Sequence, residues 1–156
     1  MDYQLNSQKL DIWGNGMLDF SSLKAGINSL QESIEVISRY TQANPSKDTP
    51  EFRTFRAGVI QNFEFTYELS WKAMRAWLAE NLGKTTVDGI TRKELFRLAA
   101  EHKLIDNVEP WFEYHYQRNQ TSHTYEEKTA VEVYSVVNDF LQHSKKLSSR
   151  LNEKND

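Results

Sequence analysis

One segment, residues 51–81, constrains the fold more than any other part of the chain. When it is placed on a helix at about 100° per residue, its apolar side chains cover most of the circumference. These side chains are Phe52, Phe55, Val59, Ile60, Phe63, Phe65, Tyr67, Leu69, Trp71, Met74, Trp77 and Leu78. Such a helix must be central, or be shared between a core and an interface. A chain of 156 residues is too short to enclose it fully, so the surplus apolar surface predicts a homodimer.

A narrow charged strip remains on this central helix, formed by Glu64, Glu68, Lys72 and Arg75. Glu68 and Lys72 lie four residues apart, which favours an ion pair on a solvated face. The alternative is that the strip lines a groove. Both interpretations are open from the sequence.

Further helices are predicted before and after the central one from apolar residues spaced at three and four positions. The first begins near Phe20, and residues 41–50 form a polar loop with two prolines. A shorter helix starts at the capping-box pair of Thr91 and Glu94. Another covers residues 108–118, with Pro110 in its first turn, where a missing N–H costs nothing.

A last long helix is expected to start at Thr124, which has capping-box spacing to Glu127, and to continue as one apolar stripe to Leu151. No segment alternates apolar and polar residues as a strand does. The sequence therefore predicts an all-α protein, an up-and-down bundle of about five helices, three long and two short.

The domain organisation follows from this pattern. Residues 1–18 contain the turn signal Trp13-Gly14-Asn15-Gly16 and are expected to form an irregular N-terminal arm. Residues 19–152 form one helical domain, and residues 153–156 are expected to fray.

Composition excludes several classes of function. There is no cysteine, so disulfides, thiolate metal sites and a cysteine nucleophile are ruled out. The formal net charge of -3 gives no broad basic surface for duplex DNA. The first ten residues lack the features of a signal peptide, and no stretch approaches the ~18 apolar residues of a membrane span. We expect a cytoplasmic protein without membrane contact.

Residues 114–125 are the candidate site, because they hold two of the four histidines, one arginine and three tyrosines without any acid. Arg118 shares a helix face with His115, and its planar guanidinium suits phosphate oxygens. His123 precedes the expected cap, and Tyr125 is expected in the first turn of the last helix, whose N-terminus attracts anions.

This set of side chains suits cleavage of RNA by its own 2′-hydroxyl. His123 would act as base or acid, and Arg118 would stabilise the charge that builds on phosphorus. No metal is needed for that route. The alternative is that an arginine and a histidine beside a helical turn serve only local hydrogen bonds.

Other polar residues carry weaker signals. Glu64 and Glu68 are the best carboxylate pair, able to orient a histidine or contact a substrate, but two carboxylates without a third ligand are a weak metal signal. No metal or cofactor site is therefore predicted. His102 is expected at a helix C-terminus, and His143 at the edge of the core. A glycine-rich phosphate loop is absent, so the chain cannot transfer nucleotides by itself.

Residues 118–125 read R-x4-H-x-Y and resemble the signature of the HEPN superfamily of small helical proteins. Residues 60–72 are similar to the phenylalanine-, glutamate- and tryptophan-rich helix of its branch called nucleotidyltransferase substrate-binding proteins. Leu104, Ile105, Asp106 and Trp111 also lie where that branch has them. The resemblance covers roughly residues 18–151.

The resemblance implies a helical bundle that forms homodimers, with Arg118 and His123 near a cleft at the dimer interface. Asn119 matches the usual arginine–asparagine start of the signature. Such proteins are typically paired with a separate minimal nucleotidyltransferase, and some are metal-independent endoribonuclease toxins. In those pairs the partner silences the toxin by transferring AMP to the signature tyrosine, here Tyr125.

Three hypotheses follow. The first is a substrate-binding subunit that partners a minimal nucleotidyltransferase in a toxin–antitoxin-like pair, with Arg118, Asn119, His115, Glu64 and Glu68 as its contacts. The second is a metal-independent endoribonuclease that acts on RNA through the signature residues. The third is a non-catalytic assembly protein in which the signature turn is only structural.

Overall fold

The computed structural model describes residues 18–47 and 49–155. The predicted N-terminal arm lies outside these residues, except for Leu18. Leu18 is joined to the other end of the described chain, because its backbone N–H donates to Asn155 Oδ1 at 3.0 Å. Asn155 Nδ2 in turn donates to the carbonyl of Leu18 at 2.8 Å.

All regular structure in the described residues is helical, which confirms the all-α prediction. The elements are α1 (Ser21–Ala43), α2 (Pro50–Leu82), α3 (Lys84–Val87), α4 (Arg92–Glu101), α5 (Glu109–Gln120), a 3-10 turn (Thr121–His123), α6 (Glu127–Tyr134) and α7 (Val137–Glu153). The short α3 was not expected from the sequence. None of the helices in residues 18–47 and 49–155 has an apolar stretch long enough to cross a membrane.

Local sequence signals account for both ends of α2 and for the start of α4. Thr49 Oγ1 accepts from the N–H of Phe52 at 3.1 Å, and α2 begins at Pro50, whose fixed φ suits a first turn. Gly83 ends α2 with a φ of +98°, which other residues rarely adopt. The predicted capping box of Thr91 and Glu94 is confirmed, since both reciprocal hydrogen bonds are formed.

The long helix α2 is central, and it packs mainly against α1 and α7. Phe63 on α2 meets Phe140 on α7 edge to face, with ring centroids 4.9 Å apart. Tyr114 and Trp111 of α5 also make edge-to-face contacts with Phe140. Such pairs contribute about 1 kcal/mol each beyond the area that they bury, so these rings fix α5 against the centre of the bundle.

The apolar side chains of α2 are not all buried within the chain. Most of its large side chains are buried, while Leu69 and Trp71 are partly buried against the core. Phe65 has 53% of its surface exposed. This exposed ring is the surplus that prompted the homodimer prediction, which stays a prediction.

The last long helix was predicted wrongly in two respects. It is interrupted at Ser135 and Val136, between α6 and α7. It also begins later than expected, because residues 121–123 tighten into a 3-10 turn. Thr124 does not cap α6, since its hydroxyl donates to the carbonyl of Thr121 at 3.1 Å. Tyr125 therefore lies in the turn before α6 and not in its first helical turn.

Candidate functional site

The candidate site lies where the C-terminal end of α5 faces the middle of α2. Trp111, Tyr114 and Gln117 are the buried residues of α5. They hold the helix in the core and leave the following positions at its surface. Arg118 comes one residue after Gln117 and is partly exposed, while Asn119 is fully at the surface.

Arg118 reaches across to both carboxylates of the charged strip on α2. Its Nη2 lies 3.3 Å from Glu64 Oε1, and its Nε lies 3.2 Å from Glu68 Oε1. The Nε contact is close enough for an ion pair but does not have the angle of a hydrogen bond. Arg118 Nη1 donates to the hydroxyl of Thr121 at 3.2 Å, and that hydroxyl donates to the carbonyl of Arg118 at 2.8 Å.

These contacts orient the Arg118 guanidinium without exhausting it. A guanidinium has five N–H donors, and here three nitrogen atoms each face one partner. Only Nη1 donates a hydrogen bond, to Thr121, so N–H groups of the guanidinium remain unbonded, and 28% of the side chain is exposed. Arg118 is consequently oriented by its neighbours and still has unbonded donors.

The charged strip of α2 thus lines the site, at least along its acidic half. Glu68 pairs with Arg118, and its second oxygen accepts from Trp71 Nε1 at 3.0 Å. The predicted ion pair between Glu68 and Lys72 is not formed. The Lys72 ammonium instead lies 5.7 Å from the centroid of the Trp71 ring.

His115 faces the interior of the bundle, where it contacts Tyr67. Its Nδ1 lies 2.7 Å from the hydroxyl of Tyr67, and the two rings are 6.0 Å apart. Burial lowers the pKa of His115 below its ordinary value of 6.5, and the nearby Arg92 charge lowers this pKa further. Burial also raises the pKa of Tyr67. A protonated phenol donating to a neutral imidazole fits both shifts.

His123 and Tyr125 form the exposed part of the site. Both side chains are exposed, Tyr125 to 80%, and their rings meet at a steep angle with centroids 6.2 Å apart. The two residues stand on either side of Thr124, in the turn between α5 and α6. The imidazole of His123 is therefore accessible from the solvent.

The helix N-terminus expected to attract a phosphate is occupied by acids. Glu126 is the N-terminal cap residue of α6, and Glu127 is its first residue. These two carboxylates offset the partial positive charge at the N-terminal end of the helix. The N-terminus of α6 is therefore less suited to an anion than the sequence predicted.

The remaining histidines serve the core. His143 Nδ1 is hydrogen-bonded to the hydroxyl of Tyr114, as expected for a residue at the edge of the core. His102 is the C-terminal cap residue of α4, and its ring packs near Trp77. Between residues 18 and 155, position 48 excepted, no group of three or more metal-ligating side chains is present.

The site brings Arg118 of α5 together with Glu64 and Glu68 of α2, which are far apart in the sequence. All three residues lie in a region that matches one known family. The family model for nucleotidyltransferase substrate binding protein-like chains matches residues 18–153. The chain belongs to this family. The R-x4-H-x-Y segment of residues 118–125, which resembles the HEPN signature, lies within the matched region.

Similar proteins and solved structures support the assignment of the chain to this family. A Haemophilus influenzae protein named probable ribonuclease HepT is 35% identical over 143 residues, covering 88% of this chain and 94% of the relative. A solved Haemophilus influenzae structure, described as the fold of a substrate binding domain of a nucleotidyltransferase, superposes with a TM-score of 0.79 at 32% identity. It covers 86% of this chain and 99% of its own. A Thermus thermophilus structure has a TM-score of 0.64 at 27% identity, covering 83% and 98%.

Two residues near the site were missed by reading the sequence. Thr121 fixes Arg118 from the turn, and Arg92 stacks on Trp71 with its Cζ 3.2 Å from the ring centroid. Thr121 lies three residues after Arg118, a spacing that allows contact across one helical turn. No local signal links Arg92 to Trp71, because α3 and its loops separate them.

Proposed function

We propose that the chain is a metal-independent endoribonuclease of the HEPN type that works with a separate minimal nucleotidyltransferase. One observation carries the catalytic part of this proposal. Arg118 is oriented by Glu64, Glu68 and Thr121 and yet keeps unused N–H donors, while His123 is exposed at the end of the same turn. The probable ribonuclease among the relatives agrees with it.

The reaction needs only a phosphodiester with a free 2′-hydroxyl. His123 removes the proton from the 2′-hydroxyl, and the 2′-oxygen attacks phosphorus. The bond to the 5′-oxygen breaks, that oxygen takes up a proton from water, and the protonated His123 releases its proton to the solvent. The products are a 2′,3′-cyclic phosphate and a 5′-hydroxyl end. The unused donors of Arg118 stabilise the extra negative charge on the phosphoryl oxygens.

Glu64 and Glu68 act on this reaction through Arg118. They hold the guanidinium in one orientation, so that little side-chain entropy is lost when the substrate binds. Asn119 follows Arg118 and is exposed, which allows it to contact the substrate. His115 is engaged by Tyr67 and supports the site from inside.

The experiment is an RNA cleavage assay in excess EDTA with purified protein. Wild type should cleave single-stranded RNA, while His123→Ala should be slower by about 100-fold or more. His102→Gln is the matched control, since His102 ends α4 outside the site, and it should cleave like wild type. Intact RNA with wild type, or equal cleavage by wild type and His123→Ala, would contradict the proposal. That result would favour a binding subunit or a non-catalytic assembly protein.

The partnership has its own support in the exposed Tyr125. A phenol that is 80% exposed is accessible to an enzyme that transfers AMP to it, and the family description refers to nucleotidyltransferases. Co-expression with the minimal nucleotidyltransferase should give a stable complex and AMP attached at Tyr125. Tyr125→Phe should remain unmodified in mass spectrometry. Purification of this chain alone from such cells would count against the partnership.

The homodimer is proposed from the exposed ring of Phe65 on α2. A ring exposed to 53% beside the partly buried Leu69 is an apolar surface that a second copy can cover. Light scattering should give twice the chain mass for wild type, and Phe65→Glu should shift it towards the monomer. A monomeric wild type would rule the homodimer out.

A further inference from the structure

A groove runs along α2 from Trp71 towards the C-terminal end of the helix. One cavity of about 600 Å³ lies between α2 and α3, and a second of about 180 Å³ lies beside it towards α4. Trp71, Arg75 and Val87 line both cavities. We call this pair of cavities the Trp71 groove. Its combined size is in the range of known ligand sites.

The Trp71 groove is basic in a chain that carries a formal charge of -3. Its lining includes the four cations Lys72, Arg75, Lys84 and Arg92 but only two carboxylates, Glu80 and Asp88. Its one ion pair is weak, because Arg75 Nη2 lies 3.4 Å from Asp88 Oδ1 and both side chains are about half exposed. The groove therefore offers an excess of positive charge to a ligand.

Trp71 and Arg92 give the groove a planar surface. The guanidinium carbon of Arg92 lies 3.2 Å from the centroid of the Trp71 ring, and the Lys72 ammonium lies 5.7 Å from it. Stacked arginine and aromatic planes are the surfaces on which unpaired bases stack in single-stranded nucleic-acid sites. Cations beside such a plane suit the phosphates on either side of a base.

The groove is connected to the candidate site by one carboxylate. Glu68 accepts from Trp71 Nε1 through Oε2 and faces Arg118 through Oε1. A strand whose phosphate lies on Arg118 thus needs to pass only this side chain to reach Trp71. The two binding features follow one another along α2.

We propose that the Trp71 groove binds the single-stranded RNA that flanks the phosphate held by Arg118, with a base against the Arg92–Trp71 stack. This inference rests on the proposed ribonuclease function, whose substrate it locates. A duplex would need a broader basic surface than this groove provides. An acidic peptide of a partner would use the cations but would gain nothing from the planar stack.

The test compares two double variants that each remove two positive charges. Lys72→Ala with Arg75→Ala changes the groove, and Lys24→Ala with Arg39→Ala changes two exposed positions of α1. Both are made in His123→Ala protein to prevent cleavage, and binding of a short labelled single-stranded RNA is measured at several salt concentrations. The groove variant should bind at least about tenfold more weakly, with a salt slope smaller by roughly 1.4. The α1 variant should bind within twofold of its parent.

The outcomes separate this inference from the proposed function. Equal RNA affinity of the two double variants, or no RNA binding by the parent, would overturn the groove assignment even if wild type cleaves RNA. Loss of the nucleotidyltransferase complex with unchanged RNA affinity would also overturn it and would assign the groove to the protein partner. If RNA binding depends on the groove but the wild type cleaves no RNA, the groove assignment would stand and the proposed ribonuclease function would be wrong.

Discussion

Two arginines of this bundle are joined to carboxylates of another helix, and they are joined in different ways. Arg56 on α2 makes two short hydrogen bonds to Glu127 on α6, of 2.8 and 2.6 Å, and only 7% of its side chain is exposed. Arg118 on α5 faces Glu64 and Glu68 at 3.2 to 3.3 Å, with poorer geometry and 28% exposure.

The difference distinguishes a structural contact from a candidate site. Arg56 faces a single carboxylate with parallel bonds, an arrangement that fixes position, and this partner raises its pKa. Arg118 is shared by two carboxylates and a hydroxyl, so no single partner satisfies it. A charged group that is oriented but incompletely bonded can still bind a substrate.

The largest effect expected from this comparison is on catalysis. Arg118→Ala should lower the rate of RNA cleavage by about 100-fold or more, because the charge opposite the phosphoryl group is lost. The free energy of unfolding of the Arg118→Ala protein should differ from that of wild type by less than about 1 kcal/mol, because the lost ion pairs are partly solvated. Single-turnover cleavage and urea unfolding check the two parts. A stability loss large enough to explain the rate would make Arg118 structural.

The opposite pattern is expected for Arg56→Ala. Truncating this buried side chain should lower the free energy of unfolding by about 2 kcal/mol, because the packing of its stem is lost with its hydrogen bonds. The cleavage rate per folded molecule should stay within about twofold of wild type. A selective loss of cleavage without loss of stability would remove the distinction between the two arginines.

A smaller effect is expected when one carboxylate of the site is neutralised. Glu68→Gln leaves the Arg118 charge less compensated, so inorganic phosphate should bind roughly threefold more tightly. Glu32→Gln is the matched control, and it should leave phosphate affinity unchanged because Glu32 is an exposed residue of α1. Titration calorimetry measures both. Unchanged affinity in Glu68→Gln would mean that Glu68 does not compete for Arg118.

The smallest effect concerns pH. The pKa of His115 is lowered in the folded protein, so the unfolded chain binds a proton more readily. This residue therefore lowers stability as pH falls below 6.5 and has no effect well above that value. Thermal unfolding between pH 5 and 8 should show a flatter pH dependence for His115→Gln than for wild type. An identical slope in the two proteins would show that His115 does not titrate as described.

The sequence predicted those parts of the fold that depend on local pattern. Apolar spacing located α1, α2, α4 and α5, and the capping box of Thr91 and Glu94 forms as expected. The prediction of a second capping box at Thr124 was wrong, because the chain first tightens into a 3-10 turn although the same spacing is present. A threonine hydroxyl can bond backward to a carbonyl as well as forward to a helix, and the spacing alone does not distinguish the two.

The sequence predicts the candidate site as a set of residues but not as an arrangement. The cluster from Tyr114 to Tyr125 drew attention to Arg118 and His123, because it gathers histidine, arginine and tyrosine without any acid. The pairing of Arg118 with Glu64 and Glu68 depends on how α5 packs on α2, which the rings of Trp111 and Phe140 determine. Long-range packing of this kind has no signature within one segment, and the same reason applies to the Arg92–Trp71 stack.

The chemistry of the cleaved RNA ends shows whether Arg118 and His123 catalyse attack by the 2′-hydroxyl. A single-stranded RNA is incubated in EDTA with wild type or with Arg118→Ala, and the ends are identified by mass spectrometry. Wild type should produce 2′,3′-cyclic phosphate and 5′-hydroxyl ends, and Arg118→Ala should produce about 100-fold less of them. Ends that carry a 5′-phosphate, or equal amounts of cyclic phosphate from both proteins, would contradict this mechanism.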